Sequence, residues 1–213
     1  MTDRNLGAMR TDYQGERLEA SITDRNPWEL FDEWLAAAIE AKVPEPNAMT
    51  LATVDAGGRP SSRVVLLKEA SPAGLVFFTD YGSDKAVHLA ERPVANALFY
   101  WPGPMRQIRA TGAVEKISRD ESEAYFHSRP HASQISAWVS KQSRPLESRE
   151  QFAQELAEAE AQFDGKDVPL PDWGGFRIDV DEFEFWQGMP GRAHDRARFV
   201  RDGDAWRATR LYP

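Results

Sequence analysis

The sequence contains no cysteine. This absence excludes disulfide frameworks, thiolate metal sites and cysteine nucleophiles in one step. Histidine is scarce, and its four positions, His88, His127, His131 and His194, are too scattered to predict a zinc site. The glycine-rich fingerprint of dinucleotide-binding proteins, the Walker loop, and the zinc-protease and serine-hydrolase motifs are also missing. Side chains and sheet edges must therefore hold any ligand.

Long apolar runs and excess positive charge are missing as well. No apolar run approaches the ~18 residues of a membrane span, and the amino terminus lacks the apolar core of a signal peptide. We therefore expect a soluble, cytoplasmic protein that does not bind membranes. The formal net charge of -8 and the pI of about 5.1 argue against a general affinity for nucleic acid, because phosphate backbones require a cationic face.

The 213 residues suffice for one domain with a sizeable core, and no change of composition divides them. Residues 1–25 are polar and mixed in charge, and we interpret them as a flexible amino-terminal arm with one short helix. Residues 26–213 are predicted to form a single domain.

Local patterns predict helices and strands in a definite order. Helix starts are indicated by Asn26 with Pro27, by capping boxes at Ser118 with Glu121 and at Ser148 with Gln151, and by a short helical pattern over 83–91. Alternating patterns predict strands on both sides of a turn at residues 55–60, and over 74–80, 94–101, 106–117, 175–180, 182–188 and 196–212, the last folded at Asp202 and Gly203.

This order predicts a mainly β fold with α-helices. Strands with short connections, and helices grouped between them, favour an antiparallel barrel or sandwich with the helices packed outside. A doubly wound parallel sheet fits less well, because the strands do not alternate regularly with helices.

Three groups of basic and hydroxyl residues lie in otherwise apolar runs. In the first, Arg63 and Lys68 bracket four aliphatic residues. Residues five apart on a regular strand face opposite ways, so one pocket cannot easily use both cations unless the strand bulges or lies at an interface. A buried strand with solvated ends explains this segment equally well.

The second group is Tyr125, Arg129 and Ser133. Tyr125 and Arg129 are one helical turn apart and share a face. Ser133 follows Pro130 and can cap the next short helix, where free backbone amides favour an anion. Together they suit a phosphomonoester, although a surface turn with a capping serine is the simpler explanation of these residues alone.

The third group is Arg192, His194 and Arg196, which follow the flat apolar ring of Trp186. On an extended segment all three basic side chains would leave one face, where water must screen them or an anion must lie among them. Screening is the commoner case for a single strand. Three such groups on a chain of net charge -8 instead indicate bound anions, such as two phosphorylated aromatic ligands.

Five runs share their order and spacing with a known family: RVVLLK, RQIRATG, YFHSRPHASQISAWVSKQS, WGGF, and EFWQG followed by RAHDR. Through them the chain resembles pyridoxine (pyridoxamine) 5′-phosphate oxidase along nearly its whole length, from Met9 to the terminal RLYP. The resemblance implies an antiparallel, Greek-key-like, FMN-binding split β-barrel, and a homodimer with FMN at the subunit interface. It also implies oxidation of pyridoxine 5′-phosphate and pyridoxamine 5′-phosphate to pyridoxal 5′-phosphate by O2, which gives hydrogen peroxide, and ammonia from the amine.

The resemblance also implies site residues. The FMN contacts fall on Arg63, Val64, Val65, Leu66, Leu67, Lys68, Phe78, Thr79, Lys85, Gln107, Gln142, Ser143, Trp186 and Arg196. The substrate contacts fall on Lys68, Tyr125, Arg129, Ser133, Arg192 and His194. Of these, Arg192 and His194 are expected to act in catalysis by holding the substrate ring, with His194 available for proton transfer. Arg10 and Tyr13 of the amino-terminal arm are expected to cover the occupied site.

Two other functions remain open. A related split-barrel flavin oxidase of phenazine-type biosynthesis would keep the FMN contacts but not Tyr125, Arg129 and Ser133. A non-catalytic carrier of flavin or pyridoxal phosphate would bind the phosphate without consuming oxygen.

Two departures from the family pattern concern the expected FMN site. Phe78 stands where a tyrosine is common, which removes a hydroxyl but keeps the ring, so we expect little loss. Where many relatives read Ser-Arg-Lys, this chain reads Ser83, Asp84 and Lys85. A carboxylate there opposes the FMN phosphate unless it turns outward, because like charges in a poorly solvated site repel.

We predict that Asp84→Arg tightens FMN binding, because it replaces a repelling charge with an attracting one. Titration of the FMN-free protein with FMN, followed by flavin fluorescence, measures the change. Unchanged or weaker binding would show that Asp84 does not oppose the phosphate.

Overall fold

The computed structural model describes residues 5–9 and 12–213. Five α-helices occur in this part of the chain: α1 Pro27–Glu40, α2 Asp84–Glu91, α3 Arg119–Ser128, α4 His131–Val139 and α5 Arg149–Gln162. Short 3₁₀ turns occur at Leu6–Ala8, Ala20–Asp24 and Pro190–Arg192. The described residues of the amino-terminal arm therefore hold two short 3₁₀ turns where one short helix was predicted. No helix among the described residues is long and apolar enough to cross a bilayer.

The strands form one antiparallel system. They are β1 Ala48–Val54, β2 Pro60–Leu66, β3 Glu69–Ser71, β4 Gly74–Asp80, β5 Val94–Trp101, β6 Arg106–Lys116, β7 Trp173–Gln187, β8 Asp195–Asp202 and β9 Ala205–Leu211. Their order is β2-β1-β5-β6-β7-β4-β3, with β8 paired to β7 and β9 to β8. The pairs β1–β2, β3–β4, β4–β7, β7–β8 and β8–β9 are antiparallel, as predicted.

The chain is organised into two compact units. The first contains the described residues up to Asn47, Leu98–Ala110 and Asp181–Pro213, and the second contains Ala48–Ala97 and Thr111–Val180. Strands β5, β6 and β7 each contribute residues to both units. A single domain over residues 26–213 remains a prediction.

Helix α1 supplies much of the core of the first unit. The Asn26 side chain accepts a hydrogen bond from the Trp28 backbone N–H at 2.9 Å, which confirms the predicted cap. One helix turn apart, Phe31 and Trp34 are buried. The Phe31 ring meets Phe99 edge-on at 5.3 Å between centroids, so the apolar face of α1 packs directly on a strand.

Helices α3 to α5 enclose a second apolar cluster in the second unit, which contains Phe126, Ile135, Phe163 and Trp173. The predicted capping box of α3 is complete, with Ser118 and Glu121 each accepting from the other's backbone. Only half of the predicted box of α5 forms. Ser148 accepts from the Gln151 N–H, and the Gln151 side chain donates to Glu155.

Strand β7 differs from the prediction, because residues 175–180 and 182–187 belong to one strand of 15 residues, and Gly188 lies just beyond its end. The buried positions change from Ile178 and Val180 to Phe183 and Phe185, so the alternation shifts by one residue within a continuous strand. That shift made the sequence look like two strands. The short strand β3 was not predicted, since three residues carry too little pattern.

We predict that Gly112→Ala destabilises the ligand-free protein by about 2 kcal/mol, or roughly 6 °C in Tm. A Cβ at Gly112 on β6 would overlap the backbone carbonyl of Asp179 on β7, and a strand backbone cannot move aside easily. Gly103→Ala is the matched control, because the nearest atom to its Cβ would be Val43 Cγ2 at an ordinary 3.9 Å. Equal melting temperatures for both variants would contradict this packing.

Candidate active site

A cavity of about 510 Å³ lies in the second unit. It collects most of the predicted site residues of that unit. Its lining residues are Val64, Val65, Leu66, Lys68, Phe78, Thr79, Lys85, Tyr125, Arg129, Pro130, Ser133, Gln142 and Trp173. We call it the β2–α3 cavity. Its size suits a small phosphorylated ligand.

One wall of the β2–α3 cavity is a stack of aromatic rings. The Phe78 ring lies parallel to Tyr125 at 3.9 Å between centroids and parallel to Trp173 at 5.2 Å. This stack fixes the position of Tyr125 on α3 through ring contacts alone. Phe78 makes both of these contacts through its ring. Little loss from the missing hydroxyl remains an expectation.

Arg129 is a desolvated cation at the junction of α3 and α4. Its guanidinium lies over the Trp173 ring at 4.8 Å, and its buried Nη1 has no hydrogen-bond partner. Burial lowers the pKa of this guanidinium, although an arginine still remains charged. A buried donor without a partner is costly, so Nη1 is suited to an anionic ligand oxygen.

Ser133 does not cap α4, which corrects the prediction. The helix begins at His131, with Pro130 in the capping position, so Ser133 lies inside the first turn. Its backbone N–H donates to the Pro130 carbonyl at 2.8 Å. With Ser133 as the cap the helix would begin at Gln134, so it starts three residues earlier, because the Pro130 carbonyl already accepts the first intrahelical hydrogen bonds. The side chain of Ser133 still lines the cavity.

Lys85 is a second cation in the same cavity. Its Nζ donates to Thr79 Oγ1 at 2.9 Å and to Gln142 Oε1 at 3.0 Å. Both partners are neutral. Burial, followed by the positive charge of Arg63, lowers the pKa of Lys85. An anion bound here would restore the favourable environment of the ammonium.

Arg63 and Leu67 are not among the lining residues of the β2–α3 cavity. The Arg63 guanidinium donates to Thr53 Oγ1 and Ser61 Oγ, both at 2.8 Å, and Leu67 is buried. On one regular strand, Arg63 and Lys68 were expected to face opposite ways. Since β2 ends at Leu66, Lys68 lies beyond the regular strand and its face does not follow the strand alternation.

Asp84 and Ser143 lie at the start of α2. The Asp84 backbone N–H donates to Ser143 Oγ at 3.3 Å. The Asp84 carboxylate is 58% exposed and lies 3.9 Å from the guanidinium of Arg144. Solvent and Arg144 therefore screen its charge, so the gain from Asp84→Arg should be smaller than for a buried carboxylate.

A second group of predicted residues lies in the first unit. The condition of an extended segment is not met over residues 192–196, because Arg192 lies in a 3₁₀ turn with φ +65° and β8 begins at Asp195. Gly191 precedes it at φ +63°, and two successive positive φ angles turn the chain instead of extending it.

Aromatic contacts bring this second group together. His194 lies 4.6 Å from Trp186 and 5.2 Å from Tyr13 between ring centroids, and the Arg192 guanidinium lies 5.5 Å from the Tyr13 ring. His194 Nδ1 accepts from the Met189 N–H at 3.1 Å. Burial, followed by Arg192, lowers the pKa of His194, which favours the neutral ring. Arg10, the other predicted arm residue, lies outside the described residues.

Arg196 is held by a residue that the sequence reasoning missed. Glu184, only 3% exposed, accepts from Arg196 Nε at 2.9 Å. The charges of the third sequence group are therefore partly neutralised by a carboxylate of the protein, an alternative to water or a bound anion. The sequence did contain an indication of this buried carboxylate, because the charged residue Glu184 lies between the core residues Phe183 and Phe185.

Gln107 lies partly exposed on β6 and is not among the lining residues of the β2–α3 cavity.

Two family models cover most of the chain. Residues 35–163 match the model described as pyridoxamine 5′-phosphate oxidase. Residues 173–213 match the model described as the pyridoxine 5′-phosphate oxidase C-terminal dimerisation region.

Full-length relatives carry the same description. The chain is 48% identical over 209 residues to a pyridoxine/pyridoxamine 5′-phosphate oxidase of Paraburkholderia phymatum, covering 98% of this chain and 99% of the relative. It is 44% identical over 211 residues to that of Rubrobacter xylanophilus, covering 99% and 97%.

Solved structures share the fold. PhzG from Burkholderia lata, in complex with tetrahydrophenazine-1-carboxylic acid, superposes with a TM-score of 0.87 at 33% identity and covers 93% of this chain and 99% of its own. A pyridoxamine 5′-phosphate oxidase-related, FMN-binding protein of Nostoc punctiforme gives 0.69 at 20% identity over 89% and 99%. The predicted split-barrel fold is confirmed.

We predict that Arg129→Met lowers the affinity of the ligand-free protein for inorganic phosphate roughly tenfold or more, because it removes the charged donor that lacks a partner. The rise of Tm with phosphate concentration measures this affinity. Arg59→Met is the control, since the Arg59 side chain is 86% exposed in the β1–β2 turn. An equal phosphate response in all three proteins would exclude Arg129 as an anion-binding group.

Proposed function

Since the chain belongs to the pyridoxamine 5′-phosphate oxidase family, we propose that it oxidises pyridoxine 5′-phosphate and pyridoxamine 5′-phosphate to pyridoxal 5′-phosphate. FMN is its cofactor and O2 is the electron acceptor, with hydrogen peroxide as the second product and ammonia released from the amine. When bound, FMN supplies the acceptor for a hydride from the 4′ carbon of the substrate. The protein residues bind and orient the reactants.

The observation that carries this proposal is the unpartnered Nη1 of Arg129 in the β2–α3 cavity. Tyr125 and Ser133 line the same cavity with hydroxyl groups, and the Lys68 ammonium lies 6.0 Å from the Tyr125 ring centre. A phosphate monoester needs such a set of charged and hydroxyl donors. Lys68, Tyr125, Arg129 and Ser133 are proposed to bind the substrate phosphate.

The rest of the cavity fits FMN. Lys85 is a desolvated cation with neutral partners, which suits the FMN phosphate, and the strand segment from Val64 to Leu66 offers apolar contacts. The proposed FMN contacts of this unit are Arg63, Val64, Val65, Leu66, Leu67, Lys68, Phe78, Thr79, Lys85, Gln142 and Ser143. Arg63 contributes positive charge near Lys85, as its effect on the Lys85 pKa indicates.

Residues of the first unit are also proposed to contact FMN and substrate. Trp186, Arg196 and Gln107 are proposed FMN contacts. Arg192 and His194 are proposed to hold the substrate ring. Because Nδ1 accepts from the Met189 N–H, the neutral His194 carries its proton on Nε2, which can donate a hydrogen bond or that proton to the substrate.

We also propose that the chain is a homodimer with FMN at the subunit interface. The match of residues 173–213 to a dimerisation region supports the dimer. An interface site would also explain why Arg63 and Leu67 do not line the β2–α3 cavity of a single chain.

Oxidation of a phenazine precursor is the second candidate, and the structural likeness to PhzG favours it. A phenazine carboxylic acid carries no phosphate, however, so it would leave the desolvated Arg129 without a phosphate partner. We therefore prefer the vitamin B6 phosphates. A carrier without turnover is the third candidate.

Oxygen consumption by the FMN-loaded protein tests the proposal. We expect equal amounts of hydrogen peroxide and pyridoxal 5′-phosphate from pyridoxine 5′-phosphate, and little turnover of unphosphorylated pyridoxine. Turnover of a reduced phenazine carboxylic acid alone would support the second candidate. Phosphate-ester binding without oxygen consumption would support a carrier.

We predict that Arg192→Ala lowers kcat/KM for pyridoxine 5′-phosphate roughly 10- to 100-fold, the effect of one charge-assisted hydrogen bond. FMN content should stay at the wild-type level, because Arg192 is assigned to the substrate. Arg198→Ala, at an exposed cation of β8, is the control and should keep wild-type kinetics. Full turnover by Arg192→Ala would remove this residue from the catalytic group.

A further inference from the structure

Glu184 is a buried carboxylate shared by two arginines in the first unit. It lies on β7 with only 3% of its side chain exposed. Arg109 on β6 donates to Oε2 at 2.6 Å, and Arg196 on β8 donates from Nε to Oε1 at 2.9 Å. The Arg196 Nη2 atom lies at 2.9 Å from the same Oε1. Each carboxylate oxygen thus faces one guanidinium.

Arg196 is fixed at all three of its nitrogens. Besides the two contacts with Glu184, its Nη1 donates to the carbonyl oxygen of Tyr212 at 2.9 Å. A guanidinium has five N–H groups, so these contacts leave two N–H groups, one on each terminal nitrogen, for another acceptor. The plane of the guanidinium is set before any ligand arrives.

The negative charge of Glu184 is needed to hold the guanidiniums of Arg109 and Arg196 close together. Arg109 and Arg196 meet at one carboxylate, and without its charge the two guanidiniums would repel each other. The Arg109 side chain is 44% exposed, so it can turn into solvent. The Arg196 side chain is only 26% exposed and has less access to water. Loss of the Glu184 charge would therefore act mainly on the orientation of Arg196.

We propose that Glu184 is a positioning residue for FMN, which it serves by fixing the guanidinium of Arg196 through a buried ion pair. This inference rests on the proposed function, which places Arg196 at the flavin. Glu184 itself is not assigned a contact with FMN or substrate. A preorganised donor binds its acceptor more tightly than one that must first be ordered.

A double-mutant cycle distinguishes positioning from a merely structural ion pair. The FMN-free chain is titrated with FMN, and flavin fluorescence gives Kd. We expect Glu184→Gln, which keeps the size but removes the charge, to raise Kd roughly tenfold or more. In an Arg196→Ala background the same substitution should change Kd less than about twofold, because the group it acts through is gone. Glu182→Gln removes a charge from the same strand and should leave Kd unchanged.

Two results would overturn the inference. Glu184→Gln that binds FMN as tightly as the wild type would show that Arg196 needs no partner. An equal increase of Kd in both backgrounds would show that Glu184 acts on the fold in general. If Glu184→Gln is not recovered folded, Glu184→Asp takes its place. It keeps the charge but retracts it by one methylene, and an unchanged Kd for this variant would count against positioning.

The wild-type titration separates this inference from the proposed function. A wild-type chain that does not bind FMN would refute both. A chain that binds FMN, responds to Glu184→Gln as expected and yet does not oxidise pyridoxine 5′-phosphate would refute the proposed reaction alone.

Discussion

Two cations of the second unit, Arg129 and Lys85, are held partly out of water with no ion-pair partner in the part of the chain that the structure describes. Desolvation disfavours a charged group unless an opposite charge compensates it. The Arg129 guanidinium lies over the Trp173 ring of the aromatic stack, and the Lys85 ammonium donates to Thr79 and Gln142. A chain of net charge -8 thus places two cations, neither with a compensating ion pair among the described residues, in one cavity.

The cations of the first unit, Arg192 and Arg196, have surroundings different from those of Arg129 and Lys85. Arg196 is paired with Glu184 through two of its nitrogens, so the protein itself sets the direction of its N–H groups. Arg192 lies over the ring of Tyr13 and adjoins a neutral His194. We infer a division of labour in which the unpaired cations supply affinity for phosphate and the paired ones supply geometry. This division agrees with the proposed chemistry, where FMN is the reactive group and orientation is the task of the protein.

Local sequence patterns predicted most of the fold, because caps and alternation depend on neighbouring residues only. The Asn26 cap, the Ser118 capping box and the hairpin at Gly203 formed as expected. The errors arose where tertiary context decides. The alternation of β7 shifts between Val180 and Phe183, and Ser133 lies inside the first turn of α4 instead of capping it. Lys68, Tyr125, Arg129 and Ser133 stood out by residue type, and the other predicted residues of the β2–α3 cavity came from family motifs. Glu184 became evident only from the geometry.

The most direct test of the central claim is the visible spectrum of the FMN-loaded protein, recorded without oxygen before and after addition of pyridoxine 5′-phosphate. The account predicts loss of the oxidised flavin absorbance, its recovery when air is admitted, and one pyridoxal 5′-phosphate formed per flavin. A flavin that stays oxidised in the presence of bound pyridoxine 5′-phosphate would contradict the account, because the cavity would then hold the phosphate without bringing the 4′ carbon to the flavin.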